Sequence, residues 1–221
     1  MKTLYICSMD KMKETARKTA DLLIKIQAVK LNKKEPYTWA SGWKSPIYCD
    51  NRKTLSYQEV RNYIKEASVE SIKNNFPEVN LIAGVATGAI ANGVLVAQEM
   101  NLPFVYVRPE KKSHGMKNQV EGALQPGQKV VVIEDLVSTG GSSLKAVEAL
   151  RDAGVEVLGM VAIFTYGFQL AEDNFAKSKV KLVTLTNYNA LIEEAVVLGY
   201  IAANEVDSLR KWRLAPAEWG R

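Results

Sequence analysis

With two cysteines and a single histidine among 221 residues, the chain has little from which to build a disulfide framework or a zinc site. Cys7 and Cys49 sit far apart in sequence, so a reducing, cytoplasmic compartment is expected. Long hydrophobic runs are missing too. No apolar stretch approaches the roughly 18 residues that mark a membrane span, and the opening MKTLYICSMDKMK turns polar too soon for a secretory h-region, so neither membrane contact nor export is expected. Charge is not clustered by sign: 29 Lys and Arg against 24 Asp and Glu leave a net +5, with no basic run longer than a few residues. That argues against a nucleic-acid partner and suits small anions. Neither GxxxxGK[ST] nor GxGxxG occurs, which excludes the P-loop and the dinucleotide loop. Without repeats or low-complexity linkers, residues 1–221 read as one domain.

What is present is a run of short apolar segments alternating with helical ones. LIAGVAT (81–87), FVYVR (104–108), KVVVIED (129–135), VLGMVAIFT (157–165) and VKLVTLT (180–186) predict five strands. Strands alternating with helices imply an α/β fold, a mainly parallel sheet flanked by helices. Ahead of the sheet, helices are predicted over 10–30 and 56–74, the second with Val60, Ile64 and Ala67 at helical spacing; two more are predicted over 190–198 and 204–212. Two segments break the alternation. EPYTWASGWKSPIYCDNR (35–52), rich in turn formers and aromatics, reads as a small irregular or hairpin cap, so that residues 1–52 supply an N-terminal helix and a hood. KKSHGMKNQVEGALQPG (111–127) is polar and long for a loop, the signature of a lid or binding loop. In an open parallel sheet, ligands bind beyond the carboxyl ends of the strands, where such loops emerge.

VVVIEDLVSTGGS (130–142) carries the chemistry. Four β-branched residues read as a buried strand. The following SSLKAVEALRDA places Leu144, Val147 and Leu150 on one helical stripe, with Gly154 set to end it. Between them, Ser138, Thr139, Gly140, Gly141 and Ser142 form a loop of small residues whose backbone N–H groups and hydroxyls can converge on an anion at a helix N-terminus. Glu134 and Asp135 precede it directly. Carboxylates beside a phosphate need another task, such as accepting sugar hydroxyls or steadying positive charge that develops during reaction. Because successive strand residues face opposite ways, both reach one ligand only if the strand ends there. The plain alternative is a strand, an exposed acidic turn and a helix cap.

This order of residues resembles the 5-phosphoribosyl 1-diphosphate (PRPP) motif of the type I phosphoribosyltransferases. The cap SGWKSPIYCDNR (41–52) and the lid R-x-x-x-K-x-H-G (108–115) are similar to the orotate phosphoribosyltransferase branch, over most of the chain. The resemblance implies transfer of the phosphoribosyl group to orotate, giving orotidine 5′-phosphate and diphosphate in pyrimidine synthesis. It implies PRPP contacts from Arg108, Lys112, His114 and the run Glu134, Asp135, Leu136, Val137, Ser138, Thr139, Gly140, Gly141 and Ser142. Catalysis would fall to Lys112 and His114 at the departing diphosphate and to Glu134 and Asp135 at the ribose. Orotate would meet Ser138, with Tyr48 and Cys49 facing the base. Mg²⁺ would be carried by PRPP without a direct protein ligand. A homodimer is implied, each lid serving the neighbouring site.

The chain departs from the family pattern where Ala40, Gly88 and Pro109 replace cations and Thr165 stands near the position of a carboxylate-binding arginine. Lys44 and Arg52 are candidate replacements, Lys44 from within the cap motif. The turn GVATG (84–88) is a further candidate for diphosphate, or a plain tight turn. Trp39 and Trp43 are expected to pack the cap, and Trp212 and Trp219 to anchor the C-terminal tail. Competing functions are another base phosphoribosyltransferase or a PRPP-sensing regulator. A regulator should carry a DNA-binding module, for which the first 35 residues are too short.

Overall fold

A computed structural model describes residues 2–32, 35–39, 42–110 and 119–219. Helix α1 (Lys2–Lys25) stops well before the predicted end at residue 30. Gln27 turns the chain at φ 54°, and the apolar residues that looked like a helix tail become strand β1 (Val29–Leu31). β1 pairs antiparallel with β4 (Ile47–Cys49), while β2 (Tyr37–Thr38) and β3 (Lys44–Ser45) form a hairpin. These four short strands are the hood. A 3-10 turn (Asn51–Ser56) then leads into α2 (Gln58–Asn75).

The main sheet follows as β5 (Leu81–Val85), β6 (Phe104–Val107), β7 (Val120–Glu121), β8 (Lys129–Val137), β9 (Glu156–Thr165) and β10 (Leu182–Asn187), in the order β10-β9-β8-β5-β6-β7. The five predicted strands are parallel neighbours. The sixth, β7, was not foreseen and pairs antiparallel with β6 at the edge. Helices α3 (Ile90–Met100), α4 (Gly141–Asp152), α5 (Gln169–Lys177), α6 (Tyr188–Val197) and α7 (Val206–Leu214) complete the chain.

Burial explains why these segments take these forms. Val130, Val131 and Val132 are fully buried in β8, as a strand covered on both faces requires. On α2, Val60, Ile64, Val69 and Ile72 face the core while Ala67 is half-buried; on α4, Leu144, Val147 and Leu150 do the same. Gly154 follows α4 at φ 83°. Helix α1 lies along β10 and α6, where Thr186 Oγ1 donates to Ala16 O at 2.8 Å and Arg17 reaches the buried Glu194 at 3.4 Å. Among the described residues no helix is long and apolar enough to cross a membrane.

Candidate functional site

β8 does not stop at the acidic pair. It runs on to Val137, because the long neighbour β9 pairs Phe164 with Leu136 and Thr165 with Val137. Strand alternation therefore separates the two carboxylates. Glu134 turns inward, 5 % exposed; its Oε2 accepts Ser143 Oγ–H at 2.8 Å and its Oε1 accepts the Asp135 N–H at 3.0 Å. Burial, then the charge of Asp135, pushes Glu134 up to about 8. Asp135 is half-buried and turns toward the loop after β5. A Cβ added at Gly88 would lie 2.6 Å from Asp135 Cγ, so the place where the family pattern carries a lysine has no room for a side chain beside Asp135 as it stands.

Beyond β8, Ser138 and Thr139 are half-buried, and Gly140 adopts φ 82°, a left-handed conformation. A Cβ there would also press on Phe175 at 2.8 Å. Asn174 Nδ2 holds Thr139 O at 2.9 Å, so α5 fixes the loop from outside. Helix α4 then begins at Gly141 with no side chain capping it. The first-turn amides of a helix have no intrahelical acceptor, and here they stand with the exposed Ser142 at the positive end of the dipole. The strand, loop and helix thus present an anion site with a carboxylate beside it.

The other strand ends frame this site. After β5, the Ala86–Thr87 peptide is cis and Ala86 N–H is already taken by Val107 O at 2.8 Å, so that amide is not available to a ligand. Arg108 follows β6 and lies 3.6 Å from Glu121 of β7. Arg108 N–H donates to Gln119 O and Gln119 Nε2 returns a bond to Arg108 O, both at 2.9 Å, closing the stem from which the predicted lid springs. Lys112 and His114 lie outside the described residues. Among the described residues no group of three or more His, Cys, Asp or Glu is placed to hold a metal ion.

The hood is held over the same end of the sheet by aromatic packing. Trp39 lies 4.9 Å from Tyr166 and 5.7 Å, edge-on, from Trp212. Trp212 is fully buried and its Nε1–H donates to Lys44 O at 3.0 Å. It therefore bolts the hood to the C-terminal helix, beyond anchoring the tail. Arg213 Nη1 caps the turn after β9 through Gly167 O at 2.6 Å. Thr165, near the expected arginine position, spends its hydroxyl locally: Oγ1 donates to Val137 O at 3.2 Å and accepts Gly167 N–H at 3.1 Å. Of the candidate cations, Lys44 Nζ donates to Thr38 Oγ1 at 2.8 Å, and Arg52 grips Asp50 with two bonds at 2.6 and 3.0 Å. Tyr48 is exposed, 5.6 Å from Tyr37. Burial, then Asp135 and Asp50, pushes the Cys49 thiol up, so it stays protonated and donates to Asn51 Oδ1 at 3.2 Å. Asn51 in turn donates from Nδ2 to Asp135 O at 2.6 Å. Sequence reading passed over Asn51, since nothing local marks a residue whose partner lies 84 positions away.

The phosphoribosyl transferase domain family matches residues 51–197, from the end of the hood through α6. Over 209 residues the chain is 59% identical to the orotate phosphoribosyltransferase of Porphyromonas gingivalis, covering 95% of this chain and 100% of that one. The chain belongs to the orotate phosphoribosyltransferases. A second relative in this family, from Bacteroides thetaiotaomicron, is 58% identical across 94% of this chain and 98% of its own. Among solved structures, the orotate phosphoribosyltransferase of Aeropyrum pernix superposes with a TM-score of 0.72 at 31% identity, covering 83% of this chain and 99% of that one. Leishmania donovani UMP synthase superposes at 0.76 with 25% identity, over 90% of this chain and 42% of that one. The domain family begins where the hood ends, whereas the orotate phosphoribosyltransferase relatives extend across the hood as well.

Proposed function

We propose that the chain transfers the 5-phosphoribosyl group from PRPP to orotate, breaking the bond from C1 of ribose to diphosphate and forming one to the base. What carries this reading is the uncapped N-terminus of α4, with Asp135 beside it and an aromatic hood above. The amides and hydroxyls from Ser138 to Ser142, following Leu136 and Val137, receive the 5′-phosphate. Asp135 accepts the ribose hydroxyls and faces the positive charge that develops at C1. Glu134 backs it, and reaches the sugar only by giving up Ser143 or the Asp135 amide. Arg108, Lys112 and His114 neutralise the departing diphosphate while the lid excludes water.

Orotate lies under the hood against Ser138, Tyr48 and Cys49. Lys44 is the better partner for its carboxylate, because Thr38 is a neutral and exchangeable partner while Arg52 is already neutralised by Asp50. Magnesium carried by PRPP would add charge neutralisation of the diphosphate; a half-buried Asp135, with no metal-holding cluster among the described residues, fits an ion that keeps water and substrate oxygens. The working form is a cytoplasmic homodimer in which each lid closes over the partner's phosphate loop.

Diphosphate release measured with orotate, uracil, adenine and hypoxanthine tests the reading. Orotate is expected to be used and uracil to be poor, since an enclosed site that pairs a carboxylate leaves its cation bare with uracil. Lys44→Ala should raise the KM for orotate more than that for PRPP. Equal use of uracil, or preference for a purine, would leave phosphoribosyl transfer standing and remove orotate.

A further inference from the structure

Asn51 stands where the hood meets the acidic pair. It is 1 % exposed, and each end of its amide is used. Oδ1 accepts the thiol of Cys49 on β4, and Nδ2 donates to the carbonyl of Asp135. Its own carbonyl accepts Thr54 Oγ1–H at 2.7 Å, which fixes the 3-10 turn beneath it. The need for this donor comes from the sheet. Pairing of β8 with β5 ends at Ile133 opposite Gly84, so the next carbonyl on that side has no strand to accept from. Asn51 supplies the missing N–H. Asp135 is then held on both flanks, by Glu134 Oε1 at its N–H and by Asn51 at its C=O, with its carboxylate against Gly88.

We propose that Asn51 is a positioning residue that couples the base-facing strand of the hood to Asp135, so that the carboxylate is aimed at the ribose only when the hood is seated. This rests on the reading that Asp135 meets the ribose. The amide is not a catalytic group; it acts through the peptide it holds. A base that presses on Tyr48 and Cys49 bears, through one thiol and one amide, on the strand end that carries Asp135.

The experiment is a double-mutant cycle on the full-length enzyme with Mg²⁺, PRPP and orotate, using Asn51→Ala, Asn51→Asp and Asp135→Asn. Asn51→Asp keeps the shape of the side chain but sets an oxygen against the Asp135 carbonyl, whereas Asn51→Ala removes donor and volume without adding charge, so a loss shared by both variants points to the missing donor. Both Asn51 variants should keep a cooperative melting transition and lose roughly 10- to 100-fold in kcat/KM for PRPP. Adding Asn51→Ala to Asp135→Asn should cost less than about threefold more, because the residue acts through Asp135. Wild-type rates in Asn51→Asp, losses that multiply in the double variant, or loss of folding in both Asn51 variants would each overturn the assignment. If Asp135→Asn alone stays within about threefold of wild type, the ribose reading itself fails, a separate result from failure of the coupling.

Discussion

The phosphate loop and the hood sit at the same end of the sheet, yet they are assembled differently. One continuous run, Val130 to Ser143, brings the buried strand, the acidic pair, the turn at Gly140 and the start of α4. The hood's four strands are two or three residues each, and among the described residues they are held by packing against Tyr166, Phe168 and Trp212 and by the bond from Asn51 to Asp135, all partners from distal parts of the chain. Anion binding by backbone amides needs a local conformation, which neighbouring residues can dictate alone. An apolar pocket for a flat base needs surfaces from several elements, which only packing provides. The loop is therefore expected to respond to substitution through chemistry, the hood through selectivity.

The largest effect should come from the charges at the phosphate site. Lys112→Ala and Asp135→Asn should each lower turnover by about 10²- to 10³-fold, as loss of a group facing transition-state charge commonly does. If lid and loop of one site belong to different subunits, mixing the two variants should return activity in the heterodimer, where one site carries both lesions and the other none. No recovery under proven subunit exchange would make each site self-contained, and the two regions would then need comparison within a single chain.

A smaller effect separates the hood. Trp212→Phe keeps a ring in the aromatic cluster and removes the Nε1–H to Lys44 O. A single neutral hydrogen bond is worth about 1 kcal/mol, so the KM for orotate should rise about fivefold, with the KM for PRPP little changed. Equal shifts in both constants would mean that the Trp212 bond, and not Asn51 alone, transmits the seating of the hood to the loop.

The smallest is a pH dependence confined to the loop. Glu134 is raised in the folded chain to about 8 by burial and by Asp135, above a carboxyl's value of about 4.3 when unfolded. Its contribution to stability is therefore complete below about 4.3 and is lost as pH rises toward about 8, where the folded state must give up a proton it holds well. Glu134→Gln can accept the Asp135 amide and donate to Ser143 Oγ, and it does not titrate. Between these limits the wild-type melting temperature should fall relative to that of the variant; parallel profiles would mean that Glu134 is charged in the folded protein.

Sequence alone determined the five parallel strands of the main sheet and the character of the site. The valine run of β8 had to be buried, α4 had to follow a small-residue loop, and Glu134 and Asp135 had to stand before it, because periodicity and turn chemistry report burial and local shape. Tertiary structure decided the rest. β8 continues through the acidic pair because β9 offers pairing partners that β8's own sequence cannot reveal, and this alone sends Glu134 inward and leaves Asp135 outward. β7 is defined by the pairing of Val120 with Val107 and Glu121 with Tyr106, with Arg108 and Gln119 meeting beside it at the lid stem. A Cβ at Gly88 would meet the carboxylate of Asp135, and Asn51 matters because a carbonyl far along the chain lacks a strand. A residue's burial leaves a periodic trace in its neighbours; the identity of a partner many tens of residues away leaves none, since folding selects that partner by geometry.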